Sequence, residues 1–182
     1  TQKRGGKGIT GLKTRENDFV KNIINTSTHD DLLFFTNYGK AHKIKAYQIP
    51  EATRTAKGIP IINFVNLDKT EEITAVIPID EFREDKYLIA VTSQGLIKKV
   101  KLSEFESNRK SGLIAVKLHD GDKLIAIEKT NGDDDVLIVT RKGMSIRFNE
   151  NDVRATGRQS IGVKAITLKG DDEIISMQLV SK

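Results

Sequence analysis

The chain has 182 residues, no cysteine, no tryptophan and a net charge of +5. That length can bury a real core, and the lack of cysteine excludes a disulfide framework, a thiolate metal site and a thiol nucleophile. No apolar stretch reaches the length of a membrane-spanning helix, and residues 1–8 have no apolar signal-peptide core. The charge is uneven: residues 1–60 hold eleven Lys/Arg against five acids, and residues 61–182 hold nineteen against twenty. A basic excess of this kind suits a polyanion.

In chain order, a leading half unit (residues 1–30) carries Gly8-Ile9-Thr10-Gly11-Leu12 and a strand over Phe19–Ile24. The first full unit (31–80) opens with a hairpin, Leu32–Thr36 and Ala41–Ala46 around Asn37-Tyr38-Gly39. The second (86–128) repeats it as Leu88–Thr92 and Leu96–Leu102 around Ser93-Gln94-Gly95. The third (134–180) has Val136–Thr140 and Met144–Phe148 around Arg141-Lys142-Gly143. A three-residue loop ending in glycine supplies the positive φ of a type I turn with a bulge. Polar connectors follow at Gln48–Lys57, Ser103–Ser111 and Asn149–Ile161, with single helical turns predicted near Ser103 and Asn151. Each connector leads to a glycine-apolar segment, predicted as a further strand, starting at Gly58, Gly112 and Gly162. With Gly8 these glycines are spaced by 50, 54 and 50 residues. A charged turn and a closing strand (Glu72–Ile77, Leu124–Ile127, Ile174–Leu179) complete each unit.

Four strands per unit at this period predict an all-β, propeller-like array forming one repeat domain. Three and a half units fall short of a closed ring. Open edges are therefore expected to be paired by further units or by another copy.

Basic residues keep register with the glycines. Lys43, Lys99 and Arg147 each lie four residues after a hairpin glycine, and Lys45 and Lys101 lie six after. Strand alternation puts Ile44, Val100 and Phe148 inward and the three cations on one outer face. Arg4, Arg54 and Arg158 stand four residues before a segment glycine, with Arg109 and Lys110 displaced in the remaining copy. Lys57 and Arg154 add to the connectors. Cations at blade spacing bind phosphates without reading bases. Few aromatics interleave with them, so duplex is favoured over single strand.

Other chemistry is weak. His29, His42 and His119 lack ligand spacing and read as surface or turn residues. Asp120-x-Asp122 and Asp133-Asp134-Asp135 lack the calcium-loop pattern, so no metal site is expected. No catalytic set stands out. The runner-up to polyanion binding is a propeller-type scaffold for an acidic protein partner.

The opening Gln2-Lys3-Arg4-Gly5-Gly6-Lys7-Gly8 closely resembles the Gln-Arg-Arg-Gly-Gly-Lys-Gly box of the DNA gyrase A family, with Lys3 for Arg. Phe19–Phe35, Ile49–Arg54 and Val153–Arg158 with Gly162-Val163 resemble the same family's C-terminal DNA-wrapping domain. The resemblance implies a six-bladed β-pinwheel with strands exchanged between neighbouring blades, of which this chain would supply about three and a half to four. It also implies a basic perimeter that wraps duplex DNA, so that an A2B2 holoenzyme, completed by the gyrase B protein, introduces negative supercoils. Lys3, Arg4 and Lys7 of the box would meet phosphates, and Gly5 and Gly6 would allow close backbone approach. The catalytic tyrosine, and the sites for ATP and Mg2+, belong to other parts of that enzyme, so no cofactor and no catalysis are expected here. The family acts in the bacterial cytoplasm, at the nucleoid and away from membranes.

Overall fold

The computed structural model describes residues 29–49, 67–107, 109 and 111–181. Outside them lie nearly all of the leading half unit, including the Gln2–Gly8 box, and also Arg54, Lys57, Gly58 and Lys110.

Every predicted hairpin forms. Strands β1 (Asp31–Thr36) and β2 (Lys40–Lys45) pair antiparallel. So do β4 (Tyr87–Thr92) with β5 (Leu96–Lys101), and β8 (Asp135–Thr140) with β9 (Ser145–Asn149). The turn glycines Gly39, Gly95 and Gly143 have φ of 77°, 99° and 92°, a region where a Cβ is strained. Single 3-10 turns follow the return strands at Ala46–Gln48, Leu102–Phe105 and Glu150–Asp152. The closing strands β3 (Ile73–Ile79), β7 (Leu124–Thr130) and β11 (Ile174–Val180) pair with β1, β4 and β8.

The charged turn before each closing strand has a structural task. Its buried carboxylate holds the hairpin loop of the same unit. Thr36 Oγ1 donates to Glu71 Oε2 (2.6 Å), and Ser93 Oγ and Gln94 N donate to Asp122 Oδ1 (2.8 and 3.0 Å). Lys142 N donates to Asp172 Oδ1 (2.9 Å). Among the described residues no group of three or more His, Cys, Asp or Glu side chains is placed to hold a metal.

The two described glycine-apolar segments, after Gly112 and Gly162, cross between units. They shrink to two-residue strands, β6 (Leu113–Ile114) and β10 (Val163–Lys164), and each pairs with the return strand of the preceding unit. The sheets therefore run β3-β1-β2-β6, β10-β5-β4-β7 and β11-β8-β9. Tight docking explains the glycines: a Cβ on Gly39 would sit 2.4 Å from Val116 O, and one on Gly162 would sit 2.6 Å from Ile97 O.

Strands β3, β7 and β11 pack side by side, so β6 and β10 occupy the opposite, outward edge of their sheets. The core lies between sheets. On β4, Leu88 and Ala90 join Leu33, Phe35, Ile79 and Leu102 in a cluster between the first and second sheets. Ile89 and Val91 join Val136, Ile138, Val153 and Met177 between the second and third. Both faces of the middle sheet are buried, which is why β4 reads as an unbroken apolar run. Phe35 and Phe105 meet edge to face at 5.6 Å across the first junction, a contact worth about 0.5–1.5 kcal/mol beyond area burial.

Candidate nucleic-acid interface

Charge is sorted along each unit by position in the sheet. The stretches forming the return strand, connector and exchanged strand are basic. Among the described residues, 40–49 hold three Lys/Arg and no acid, 96–118 five against two, and 144–169 five against two. The stretches forming the closing turn, closing strand and next entry strand are acidic. Residues 68–95 hold seven acids against three Lys/Arg, 119–143 six against four, and 170–181 three against none. Among the described residues the basic stretches therefore include the strands β6 and β10 at one edge of their sheets, and the acidic stretches include the strands β3, β7 and β11 at the other, although Lys98 and Lys99 of the basic stretches are buried.

The structure corrects the reading of Lys43, Lys99 and Arg147 as a shared outer face. All three do point the same way, because register is preserved from unit to unit. For Lys43 and Lys99 that side is the junction with the following blade. Lys99 is 5% exposed. Its Nζ pairs with Glu150 Oε1 at 3.1 Å and lies 4.7 Å from the centre of the Tyr87 ring. Its ammonium is consumed internally. Lys43 is half-buried and donates to Ser107 O (2.6 Å) and Phe105 O (3.3 Å), beside the Phe82 ring. Arg147 is exposed and pairs with Asp135 at 3.0 Å. No described blade covers its side.

The remaining cations divide. Lys45 pairs with Asp31 at 3.0 Å. Lys101, Arg109 and Arg154 are exposed, and Arg109 Nε donates to Ser111 O (3.0 Å). Arg158 is half-buried and ties the outward edge together: its Nη1 donates to Ile114 O on β6 (2.9 Å), and its Nε to Glu104 O (3.2 Å). The edge also exposes Lys117 and Lys164, interleaved with Ile114, Ile161 and Val163. Neither lysine recurs at its spacing from the segment glycine in most copies, so counting from the glycines missed them. Strand pairing between units is what brings them to the edge.

Beneath this edge lie two buried groups at one repeat position, three residues after the hairpin glycine. His42, expected at the surface, is buried; its Nδ1 meets Ser111 Oγ (2.9 Å) and accepts from Gly112 N (3.2 Å). Burial holds its pKa below the usual value. Lys98 is buried and donates to Ser160 O (2.7 Å), Ala115 O (3.2 Å) and Arg158 O (2.5 Å). Desolvation, with the nearby Arg158 charge, lowers its pKa to about 8. Both side chains anchor the connector that precedes an exchanged strand, and so hold the basic stretch in place. His29 and His119 are exposed.

Antiparallel blades that trade edge strands define a propeller-type repeat domain. A family model described as the DNA gyrase C-terminal domain, beta-propeller, matches residues 1–27, 30–80, 86–131 and 134–181. The chain belongs to that family. It is 54% identical over 164 residues to the DNA gyrase A protein of Clostridium acetobutylicum, covering 90% of this chain and 20% of that protein. It is 50% identical over 167 residues to the same gyrase protein of Halalkalibacterium halodurans, covering 92% and 20%. It spans about one fifth of the length of the curated relatives it matches. Among solved structures, the C-terminal domain of DNA topoisomerase IV superposes with a TM-score of 0.78 at 31% identity, over 85% of this chain and 48% of that one. The DNA gyrase A C-terminal domain superposes with a TM-score of 0.67 at 30% identity, over 85% and 49%. Among the described residues no helix is long and apolar enough to cross a membrane.

Proposed function

We propose that this chain is the duplex-wrapping region of a bacterial DNA gyrase and binds DNA along the outward edge of its blades without reading sequence. The observation that supports this reading is the sorting of charge: among the described residues the basic stretches fall on the return strands, connectors and exchanged strands. Successive blades offer successive groups of cations, so a duplex following the edge meets phosphate contacts at every blade. Bending a duplex by tens of degrees over 20–30 base pairs costs a few kcal/mol, which several phosphate contacts offset at moderate salt. Lys101, Arg109, Arg147, Arg154 and Lys164 are the described contacts, and Arg158 shapes the edge between them. Lys99 is left out because it is buried as well as paired, whereas Arg147 stays exposed beside its carboxylate. The Gln2–Gly8 box, Arg54, Lys57 and Lys110 extend the track in sequence.

In this reading the region performs no catalysis. It works within a cytoplasmic A2B2 gyrase whose other parts cut DNA and bind ATP and Mg2+, and it presents a wrapped segment so that passage introduces negative supercoils.

Replacing Lys101, Arg154 and Lys164 together by Gln tests the reading in a filter-binding salt titration. Binding to all duplex sequences is expected to weaken alike, and the slope of log affinity against log salt to fall by about 2–3, close to one per lost phosphate contact. A loss confined to certain sequences, or salt-independent binding by the unmodified chain, overturns it; the latter favours a scaffold for an acidic protein.

A further inference from the structure

The second blade junction contains a buried charge that the proposed DNA contacts do not use. Glu150 is 0% exposed. Its Oε1 accepts from Thr130 Oγ1 (2.9 Å) and pairs with Lys99 Nζ (3.1 Å), and its Oε2 accepts from Asp134 N (2.7 Å). Its own N–H donates to Asp134 O (2.8 Å). Lys99 and Thr130 stand on β5 and β7 of the second sheet. Asp134 and Glu150 flank the hairpin of the third. One carboxylate therefore takes donors from both blades, and both of its oxygens are satisfied.

The repeat supplies an internal control. Leu102 N donates to Lys86 O (2.9 Å) as Glu150 N donates to Asp134 O, so Leu102 is the counterpart of Glu150 at the first junction. Ile79 faces Asp31 as Thr130 faces Tyr87, so Ile79 is the counterpart of Thr130. Both counterparts are apolar and fully buried. Apolar contact is non-directional and tolerates small rotations. Hydrogen bonds from three donors, fixed in length and angle, do not. A buried ion pair is a weak source of stability, because desolvation consumes most of its attraction. What it adds is one preferred arrangement.

We propose that Glu150 is a positioning residue that fixes the angle of the third blade against the second, and so aims one blade's basic edge at the next. The consequence for DNA rests on the wrapping reading; the angle itself does not. The chain has no cysteine, so spin labels at Gln94→Cys and Ser145→Cys, both exposed in the wild-type chain, report the separation of the second and third hairpins. Thr130→Ile with Glu150→Leu gives these two positions the side chains of the first junction, and leaves Lys99 without its carboxylate. This double variant is expected to stay folded, with a distance distribution that broadens or shifts. Glu150→Gln keeps the shape but loses the ion pair, and is expected to broaden the distribution less; it decides the matter if the double variant does not fold. A wild-type distribution in the folded variants overturns the proposal.

Nick closure of a plasmid carrying bound protein gives the second reading. The linking-number change per bound double variant is expected to fall. Affinity for a duplex of about 10 base pairs, one helical turn, is expected to stay within about twofold, as for a change remote from the contacts. A wild-type linking change in a variant whose label distances have moved overturns the link between angle and DNA path. No linking change with the wild-type chain removes the wrapping reading and leaves the label distances to judge Glu150.

Discussion

The two blade junctions use the same backbone template and solve it with different chemistry. At the first, Ile79, Leu102 and Phe105 fill the space, and Lys43 reaches across to the carbonyls of Phe105 and Ser107. An open groove of about 440 Å3 remains there, lined by Asp31, Lys43, Lys45, Gln48, Phe82, Glu106 and Ser107. At the second, Thr156 N donates to Lys99 O (2.9 Å), and Ala155 bridges to Lys99 in parallel fashion. With backbone closing the gap, the lysine turns to a buried carboxylate instead. The lesson is that one basic repeat position can serve as a strut to carbonyls, as half of a buried ion pair, or, at Arg147, as an exposed cation. The neighbour decides which.

The sharpest way to break this comparison is to truncate the two counterparts. Glu150→Ala leaves Lys99 buried without its carboxylate and Thr130 and Asp134 without their acceptor, and should cost about 3–5 kcal/mol in urea unfolding. Leu102→Ala leaves only a cavity and should cost about 2–4 kcal/mol. If Glu150→Ala proves the milder, the second junction is not held by its polar cluster.

The turns sharpen the same contrast. An added Cβ at Gly39 would lie 2.4 Å from Val116 O, and at Gly95 2.9 Å from Ile166 O, while Gly143 has no neighbour within 4 Å. Alanine should therefore cost most at Gly39 and less at Gly95. At Gly143 it should cost only the left-handed backbone penalty of about 1–2 kcal/mol. Equal losses in thermal unfolding at all three would mean that strand docking does not tighten the turn.

The smallest effects separate the junctions by pH. His42 and Lys98 both bind a proton less tightly when folded. Between the folded and unfolded values the unfolded chain holds more protons, so stability rises with pH there. For His42 the contribution is complete above 6.5 and is lost as pH falls through the lower folded value. For Lys98 it is complete above 10.5 and lost as pH falls through about 8. Urea midpoints should show the advantage of wild type over Lys98→Met growing from pH 8 to 10.5. His42→Gln should alter only the acid side. A constant gap in either series counts against that assignment.

Much of the fold was legible in the chain. The β-branched runs, the glycine at each hairpin turn and the 50-residue period placed all three hairpins and closing strands to within a few residues. The site was legible in part. Register correctly put Lys43, Lys99 and Arg147 on one side, but period-2 alternation cannot say whether that side meets water or another blade. His42 and Lys98 were missed as anchors for a related reason. Their partners lie 69 and 60–62 residues away, and no local pattern links them.

By itself the sequence determined the strands, their turns and the family, because these follow from local backbone preference, periodicity and the glycine-basic segments. Only the tertiary structure decided which cations remain available. The exchange of β6 and β10 between units and the burial of both faces of the middle blade set the solvent exposure of each charge, and exposure governs whether a lysine meets a phosphate or a carboxylate of its own chain.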